Sequence, residues 1–371
     1  MRTVTVELGA RSYPILLGRG ARTAAAGLAA LRDVVGGRRC LLVTDRTVGA
    51  LHAAGWCQAL LTAGATGCER AEFPAGEGSK TLATLAELYR AAARAGLDRN
   101  GVAVALGGGV TGDLTGFFAA TWMRGIPFVQ APTSLLALVD ASVGGKTGVD
   151  LPEGKNLVGA FHQPRLVVGD LAWLDTLPEG ELRNGLAEVV KYGAGLEAAF
   201  FADLERDAAA LLARDPAVVE RVVARSCEIK AAVVAEDEQE GEGGRRALLN
   251  YGHTFGHALE TLTGYAGLRH GEAVAIGMVL AASLAVRLGL CPAAVVPRTT
   301  ALLHRFGLPT SLPAASAVTP DAMLEVMGRD KKTRGGGLRL VLPTALGATA
   351  LVAVADVAAV RATLEVARGK P

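Results

Sequence analysis

Three continuous apolar segments in the first half of the chain constrain its fold more than any other feature. They are Cys40-Leu-Leu-Val-Thr44, Gly101-Val-Ala-Val-Ala-Leu106 and Phe128-Val-Gln-Ala-Pro-Thr133. Each has the length of a strand, and stretches with helical periodicity separate them. Buried strands that alternate with helices are typical of a parallel sheet covered on both faces. The first half therefore predicts an α/β domain with a Rossmann-like parallel sheet.

The residue pattern changes near Leu177-Pro178. Beyond this point, stretches rich in Ala, Leu, Val and Glu show helical periodicity, and few segments before Leu338-Arg-Leu-Val-Leu342 resemble strands. We therefore predict two domains, with residues 1–177 forming the α/β domain and residues 178–371 a mainly α-helical domain.

Length and charge limit the class of protein. The chain has 371 residues, half of them hydrophobic, and can bury large cores. Its net charge of +2 argues against binding to nucleic acid or to a membrane surface. The apolar run from Ala273 to Val286 is too short to span a bilayer and predicts a buried helix, and Met1 to Val6 has no signal-peptide core. We expect a soluble, cytoplasmic protein.

The cysteines are odd in number and scattered: Cys40, Cys57, Cys68, Cys227 and Cys291. None is spaced as Cys-x-x-Cys, so the pattern favours free thiols in a reducing compartment over disulfides or a structural zinc site.

A glycine-rich turn, Gly107-Gly-Gly-Val-Thr-Gly-Asp113, follows the second apolar strand directly. Its backbone N–H groups, with those of a following helix, could bind the phosphates of a dinucleotide. The alternative is a tight left-handed turn that binds no ligand. The segment also lacks the Gly-x-Gly-x-x-Gly pattern, so an ordinary Rossmann assignment is weak. Asp45, at the end of another strand, could bond a ribose or cap a helix.

Three separate segments carry candidate metal ligands: Glu188, His253 with His257, and His270. His253 and His257 are four residues apart, on one face of any helix that they share. A carboxylate and two imidazoles suit zinc or a similar divalent ion with an open coordination position. The spacing leaves open whether His257 is a ligand or a proton-transfer group.

Several cationic residues lie among glycines, asparagines or apolar residues: Arg124, Lys146, Lys155, Lys191, Lys230, Arg246, Lys331 and Lys332. Such residues can recognise phosphate and carboxylate groups, although any one of them could equally be a solvated surface residue. Lys146 does not belong to an ATP-binding P-loop, because Asp140 stands where that motif requires glycine.

With these motifs the chain resembles the 3-dehydroquinate synthase family of sugar phosphate cyclases over nearly its whole length. The most specific matching segments are Gly76–Lys80, Gly107–Asp113, Asp140–Gly148, Glu188–Lys191, Asn250–His257, His270–Glu272 and Asp330–Lys332. Two small departures are Ser134, where a second threonine is usual and the hydroxyl is retained, and Asp150, where asparagine is common.

The resemblance implies three groups of site residues. The ligands of one zinc or cobalt ion would be Glu188, His253 and His270, which leaves His257 for acid–base or oxyanion chemistry. The residues implied or suggested for NAD are Asp45, Glu77, Lys80, Gly108, Gly109, Asp113, Thr133, Ser134, Lys155 and Thr176. Those around the substrate would be Arg124, Asp140, Lys146, Asn156, Lys191, Lys230, Arg246, Asn250 and Lys331 or Lys332. The first domain would thus bind NAD, and the second would bind the metal and substrate.

The family chemistry that the resemblance implies is the conversion of 3-deoxy-D-arabino-heptulosonate 7-phosphate to 3-dehydroquinate and phosphate, in the shikimate pathway. Transient oxidation at C5 by NAD⁺ would allow β-elimination of phosphate, and reduction, ring opening and an intramolecular aldol step would follow. The resemblance also implies a homodimer.

Two other enzyme classes fit some of these features. A metal- and NAD-dependent polyol dehydrogenase would need few cations for a neutral substrate. A cyclase acting on sedoheptulose 7-phosphate would have no substrate carboxylate to bind, whereas Lys230, Arg246 and Asn250 are present here. A non-catalytic dinucleotide-binding protein would not be expected to keep an intact ligand set.

Overall fold

The computed structural model describes residues 1–241, 243–264, 267–314, 317–330 and 338–368. The chain divides into two compact units. The first comprises Met1–Pro178 and Val219–Gln239, and the second comprises Glu179–Val218 and Glu240–Pro371. The segment Val219–Gln239 thus groups with the α/β unit, although it follows the predicted boundary in sequence.

The first unit contains a seven-stranded sheet in the order β1-β2-β9-β6-β5-β3-β4. The strands are β1 Arg2–Val6, β2 Tyr13–Gly18, β3 Arg39–Asp45, β4 Gly67–Phe73, β5 Val102–Gly107, β6 Phe128–Pro132 and β9 Leu166–Asp170. Strands β7 Lys146–Leu151 and β8 Gly154–Phe161 form a separate antiparallel hairpin. Only β1 pairs antiparallel within the large sheet, so the predicted parallel α/β architecture is confirmed.

Helices cover both faces of this sheet because successive side chains of a strand point to opposite sides. On β3, Leu42 packs in a core with Leu31 and Trp56, whereas Leu41 packs on the other face with Leu85 and Phe118. The helices of this unit before the boundary are α1 Ala25–Val35, α2 Arg46–Val48, α3 Ala54–Thr62, α4 Leu82–Arg94 and α5 Gly109–Thr121.

The second unit is mainly helical, as expected. Its helices are α6 Glu179–Leu196, α7 Ala198–Leu212, α9 His253–Leu262, α10 His270–Arg287, α11 Val295–Arg305, α12 Pro320–Asp330 and α13 Val357–Arg368. Helix α8, Pro216–Glu236, begins in this unit and continues in the first. Strands β10 Leu338–Ala345 and β11 Ala348–Val354 form a hairpin, which includes the predicted strand at Leu338–Leu342.

Helix α10 contains the apolar run Ala273 to Val286. It is long and apolar enough to cross a membrane by composition alone, but 72% of it is buried within the fold. It packs against α6, α9 and α13, so it is a core helix of this unit.

The expectation that all five cysteines are free thiols is wrong for one pair. Cys57 on α3 and Cys68 on β4 form a disulfide, with their Cα atoms 5.6 Å apart. The packing of α3 beside β4 brings the two residues together, and their separation of 11 positions carries no recognisable motif. Cys40, Cys227 and Cys291 are free.

Candidate active site

The second unit brings together the three residues implied as metal ligands. Glu188 is fully buried in α6, and its Oε1 lies 3.4 Å from His253 Nε2 and 3.3 Å from His270 Nε2. One donor atom from each residue lies within 4.8 Å of the other two. Lys191, one turn further along α6, forms an ion pair with the other carboxylate oxygen, Oε2. Glu188 Oε1 therefore faces the two imidazoles while Oε2 faces the ammonium.

Glycines allow the three helices to approach closely enough for this arrangement. Gly252 precedes α9 with φ +81°, and a Cβ there would lie 2.8 Å from Met278 N of α10. A Cβ on Gly271 would lie 2.1 Å from the backbone oxygen of Asn184, one turn before Glu188. Gly271 N instead donates to Asn184 Oδ1 at 2.6 Å. The start of α10, where His270 lies, is thereby fixed against α6.

The second nitrogen of each imidazole faces an outer acceptor. His253 Nδ1 lies 3.3 Å from Tyr251 O, and His270 Nδ1 lies 3.3 Å from Glu260 Oε2. An acceptor at Nδ1 keeps the proton on that nitrogen, so Nε2, the atom that faces Glu188 in both residues, is the nitrogen that would bind a metal once any proton on it is displaced. Two such imidazoles and a carboxylate fit a zinc-type ion with an open position.

Burial and charge act differently on the two histidines. Burial lowers the pKa of His253 to about 3, because the nearby Glu188 carboxylate compensates only in part. Burial also disfavours charged His270, but hydrogen bonds to Glu188 and Glu260 outweigh it and raise the pKa of His270 to about 10. The pocket around His270 thus strongly favours positive charge.

His257 lies beside this three-residue group. It is exposed on α9, one turn after His253, with ring centroids 5.5 Å from His253 and 6.4 Å from His270. Arg246 and Asn250 belong to a 3₁₀ helix, Arg245–Asn250, that precedes α9. Arg246 is buried, and Asn250 Nδ2 donates to Glu240 Oε1 at 2.9 Å. Lys331 and Lys332 lie outside the described residues.

The glycine turn lies in the first unit, between β5 and α5. Gly107, Gly108 and Gly109 all lack a positive φ, so the left-handed turn considered above is wrong. A Cβ on Gly107 would lie 2.3 Å from Thr111 Oγ1, whereas around Gly108 the nearest atom would be Ser134 Oγ at 3.6 Å. Space is therefore left above the N-terminus of the 13-residue helix α5, where backbone N–H groups can bind an anion.

This turn lies where the direction of the strand order reverses. The chain passes from β3 outward to β4 and then back to β5, on the other side of β3, before continuing to β6. In open parallel sheets, ligands bind at this switch point, at the carboxyl ends of the strands. Asp45 ends β3 beside the turn, and its Oδ1 accepts from Thr47 N at 2.9 Å and Val48 N at 3.0 Å. The structure thus shows the capping role for Asp45.

Thr133 and Ser134 follow β6 at the same edge. Thr133 N donates to Gly107 O at 2.9 Å, and Ser134 Oγ accepts from Ala137 N at 3.2 Å. Thr176 is exposed at the end of a 3₁₀ helix, Leu171–Asp175, and donates its hydroxyl to Trp173 O at 3.1 Å.

Buried Lys80 joins two of the other predicted residues. Lys80 Nζ donates to Asp113 Oδ2 at 2.6 Å and to Asn156 Oδ1 at 2.5 Å. Burial alone would lower the pKa of Lys80, but the Asp113 carboxylate outweighs burial and raises it, so the ammonium is retained. Nearby, Lys155 Nζ lies 3.5 Å from Glu77 Oε1.

Lys230, another predicted residue of the first unit, lies close enough to Asp113 for its positive charge to oppose the rise in the pKa of Asp113 that burial causes. Lys230 on α8 donates to Asp140 Oδ1 at 2.7 Å and to Asp140 O at 2.6 Å. Lys146 is exposed at the start of β7. Arg124 is exposed after α5, with φ +65°, next to Met123 with φ +51°.

Three contributors to the histidine cluster were not predicted: Asn184, the Tyr251 carbonyl and Glu260. Glu260 lies seven residues after His253, and helical periodicity places such residues on one face. This spacing was the only sequence signal for Glu260. The departure Asp150 also has a role, because its Oδ1 accepts from Asn156 N at 2.8 Å, where Asn156 has φ +56°.

Comparisons with known proteins agree with this arrangement. Residues 70–184 match the family model described as 3-dehydroquinate synthase N-terminal, and residues 185–333 match the one described as 3-dehydroquinate synthase C-terminal. The 3-dehydroquinate synthase of Geobacter metallireducens is 50% identical over 361 residues, covering 97% of this chain and 98% of that protein.

Two solved structures share the fold over almost the entire chain. One is 2-deoxy-scyllo-inosose synthase complexed with carbaglucose-6-phosphate, NAD⁺ and Co²⁺, with a TM-score of 0.86, 26% identity, and coverage of 99% of this chain and 100% of that chain. The other is 2-epi-5-epi-valiolone synthase from Streptomyces hygroscopicus subsp. jinggangensis with NAD⁺ and Zn²⁺ bound, with a TM-score of 0.86, 29% identity and 99% coverage of both chains. The resemblance inferred from the motifs is confirmed, and the chain belongs to the 3-dehydroquinate synthase family.

Proposed function

We propose that this protein is a 3-dehydroquinate synthase, a lyase that converts 3-deoxy-D-arabino-heptulosonate 7-phosphate to 3-dehydroquinate and phosphate. The family relationship over nearly the full chain supports the reaction. The observation that carries the proposal is the approach of His253 Nε2 and His270 Nε2 to one oxygen of Glu188. This donor set would hold a divalent metal.

The cofactors are NAD and one divalent metal, Zn²⁺ or Co²⁺, as in the two similar solved structures. When bound, the metal acidifies a substrate alcohol and the nicotinamide reversibly accepts its hydride. Residues 1–177 would bind NAD and contribute part of the substrate contacts, and residues 178–371 would bind the metal and provide the other substrate contacts.

The residues of the chain have separate tasks in this proposal. The open N-terminus of α5, with Gly108 and Gly109, would bind the NAD pyrophosphate through backbone N–H groups. Lys80, charged and tied to Asp113, would hold the segment from Glu77 beside α5. Asp45, Thr133, Ser134, Lys155 and Thr176 complete the proposed cofactor residues.

Cationic and amide side chains would bind the two anionic ends of the substrate. They are Arg124, Lys146, Asn156, Lys191, Lys230, Arg246, Asn250, Lys331 and Lys332, with Asp140 orienting Lys230. His257 is exposed beside the ligand group, so it can exchange a proton with substrate or solvent. A cation-rich set suits a substrate with a phosphate and a carboxylate better than a neutral polyol.

The proposed setting is cytoplasmic, the protein would be a homodimer, and its partner is a small sugar phosphate, without nucleic acid or membrane. This assembly state and compartment rest on family resemblance and on composition.

Phosphate release from the heptulosonate phosphate tests the proposed reaction. The wild-type protein should release phosphate and form 3-dehydroquinate only when both NAD⁺ and metal are present, with no net rise in absorbance at 340 nm. His253→Ala should abolish metal-dependent turnover, and Glu205→Ala, which changes a partly exposed carboxylate on α7, should not. Sustained NADH formation with a polyol would favour a dehydrogenase, and phosphate release from sedoheptulose 7-phosphate alone would favour another cyclase.

A further inference from the structure

Glu260 is a buried carboxylate without an assigned role in the proposed function. It lies on α9, two helical turns after His253, and is 5% exposed. Its Oε2 lies 3.3 Å from His270 Nδ1, while Nε2 of the same ring lies 3.3 Å from Glu188 Oε1. The His270 imidazole therefore lies between two carboxylates, one at each ring nitrogen.

We propose that Glu260 is a positioning residue for the metal centre: it accepts the Nδ1–H of His270 and directs the Nε2 lone pair at the ion. The inference rests on the proposed ligand role of His270. Because α9 carries both His253 and Glu260, one helix supplies a ligand directly and orients a second ligand on α10.

The two histidines differ in the chemistry of their outer acceptor. His253 Nδ1 faces the backbone carbonyl of Tyr251, which no substitution removes. His270 Nδ1 faces a charged side chain, which makes the imidazole a stronger donor to metal than a neutral carbonyl would. A buried carboxylate is also costly unless it has a positive partner.

This second carboxylate changes the charge balance of the centre. With Glu188 as the single anionic ligand and the Lys191 ammonium on its other oxygen, a divalent ion would leave the centre with two positive charges in excess. Glu260 offsets one of them without occupying a coordination position, which leaves the open position for substrate.

The test measures metal affinity of the full-length protein directly. Dissociation constants for Co²⁺ and Zn²⁺ come from chelator competition, and the visible spectrum of the Co²⁺-loaded protein reports ligand geometry. Glu260→Ala should weaken affinity by about 10- to 100-fold and shift the Co²⁺ bands. Glu260→Gln keeps an acceptor oxygen but loses the negative charge, so its affinity should lie between those of Glu260→Ala and wild type. Glu205→Ala, which removes a partly exposed carboxylate paired with Arg298, should match wild type.

Three results would refute the role of Glu260, and they differ in whether the proposed metal centre is refuted as well. Wild-type affinity and spectrum in a folded Glu260→Ala protein would overturn the role of Glu260 while leaving the metal centre intact. If Glu260→Ala fails to fold, Glu260→Gln decides, because a wild-type Co²⁺ spectrum and affinity together with wild-type pH dependence of metal binding would also overturn it. Failure of the wild-type protein itself to bind either metal would refute both this role and the proposed metal centre.

Discussion

Lys191 and Glu188 form a buried ion pair across one turn of helix α6. Their side chains are 3% and 0% exposed, so water cannot screen either charge. The ammonium holds Oε2, and Oε1 then faces the two Nε2 atoms. The pair therefore determines which oxygen of the carboxylate is presented to the histidines.

We expect Lys191→Met to destabilise the metal-free protein by about 1.5–3 kcal/mol, because Glu188 would lose a charged hydrogen-bond partner and keep His270 as its cationic neighbour. Urea denaturation in chelator measures the change. Arg206→Met is the matched control, since it removes a cation from an exposed ion pair on α7 and should leave the unfolding midpoint unchanged. Equal midpoints for Lys191→Met and wild type would contradict the prediction.

Gly271→Ala should separate α10 from α6 at the point where His270 lies. The added Cβ would lie 2.1 Å from the backbone oxygen of Asn184, and a backbone oxygen cannot rotate away. We expect metal affinity to fall by about tenfold or more, since metal sites require donor positions held to within about 0.5 Å.

The matched substitution is Gly328→Ala on α12, where a Cβ meets nothing within 4 Å. It should keep wild-type affinity and raise stability slightly, by about 0.5–1 kcal/mol. The same metal titration serves both variants, and equal affinities would show that the close approach is not needed for binding.

Lys80→Met should weaken NAD⁺ binding and leave metal affinity unchanged. The substitution removes charged hydrogen bonds to Asp113 and Asn156, each contributing roughly 1.5–3 kcal/mol to stability. The proposed cofactor residues would then be held less firmly in place, so the dissociation constant for NAD⁺ should rise about tenfold or more. Isothermal titration with NAD⁺ and separately with Zn²⁺ measures both. A loss of both affinities would instead indicate that the variant is misfolded.

Thiol labelling should distinguish the cysteines by burial. Burial raises the pKa of Cys40 and of Cys227 to about 12, so at pH 8 the reactive thiolate is on the order of 1 in 10,000 for either residue. Of the three free cysteines, half-exposed Cys291 should therefore be labelled at pH 8, and buried Cys40 and Cys227 should not react.

A disulfide-exchange reagent gives the corresponding counts. We expect one reactive thiol in the native protein, three after denaturation without reductant, and five after denaturation with reductant. Five thiols in the denatured, unreduced protein would contradict the Cys57–Cys68 bond.

Much of the α/β unit could be predicted from local pattern. Continuous apolar runs are explained by two-sided burial, and each of the three runs that begin near Cys40, Gly101 and Phe128 became a strand of the parallel sheet. The i, i+4 spacing of His253 and His257 placed both on α9. The association of Glu188 with these histidines came from family resemblance, because nothing local to α6 indicates its partners.

Contacts distant in sequence account for what could not be predicted. In the sequence Glu260 looks like any other helix residue, and its contact with His270 forms only because α10 packs against α9. The contact of Asn184 also forms only because Gly271 lies against it. The Cys57–Cys68 bond likewise depends on the placement of α3 beside β4. Such pairs form only where separate helices and strands pack together, and no local repeat of apolar or polar residues in the sequence indicates which elements will meet.

The first unit is built from two stretches of sequence with part of the second unit between them, and this affects how the enzyme can be divided into fragments. Because Val219–Gln239 belongs with the first unit, the backbone crosses the division between the units three times. A fragment ending at Pro178 would lack the helical segment that carries Lys230, and a fragment starting at Glu179 would include that segment without the residues it packs on. Neither half is a self-sufficient piece, so exchange of either half between relatives must transfer the intervening helix as well.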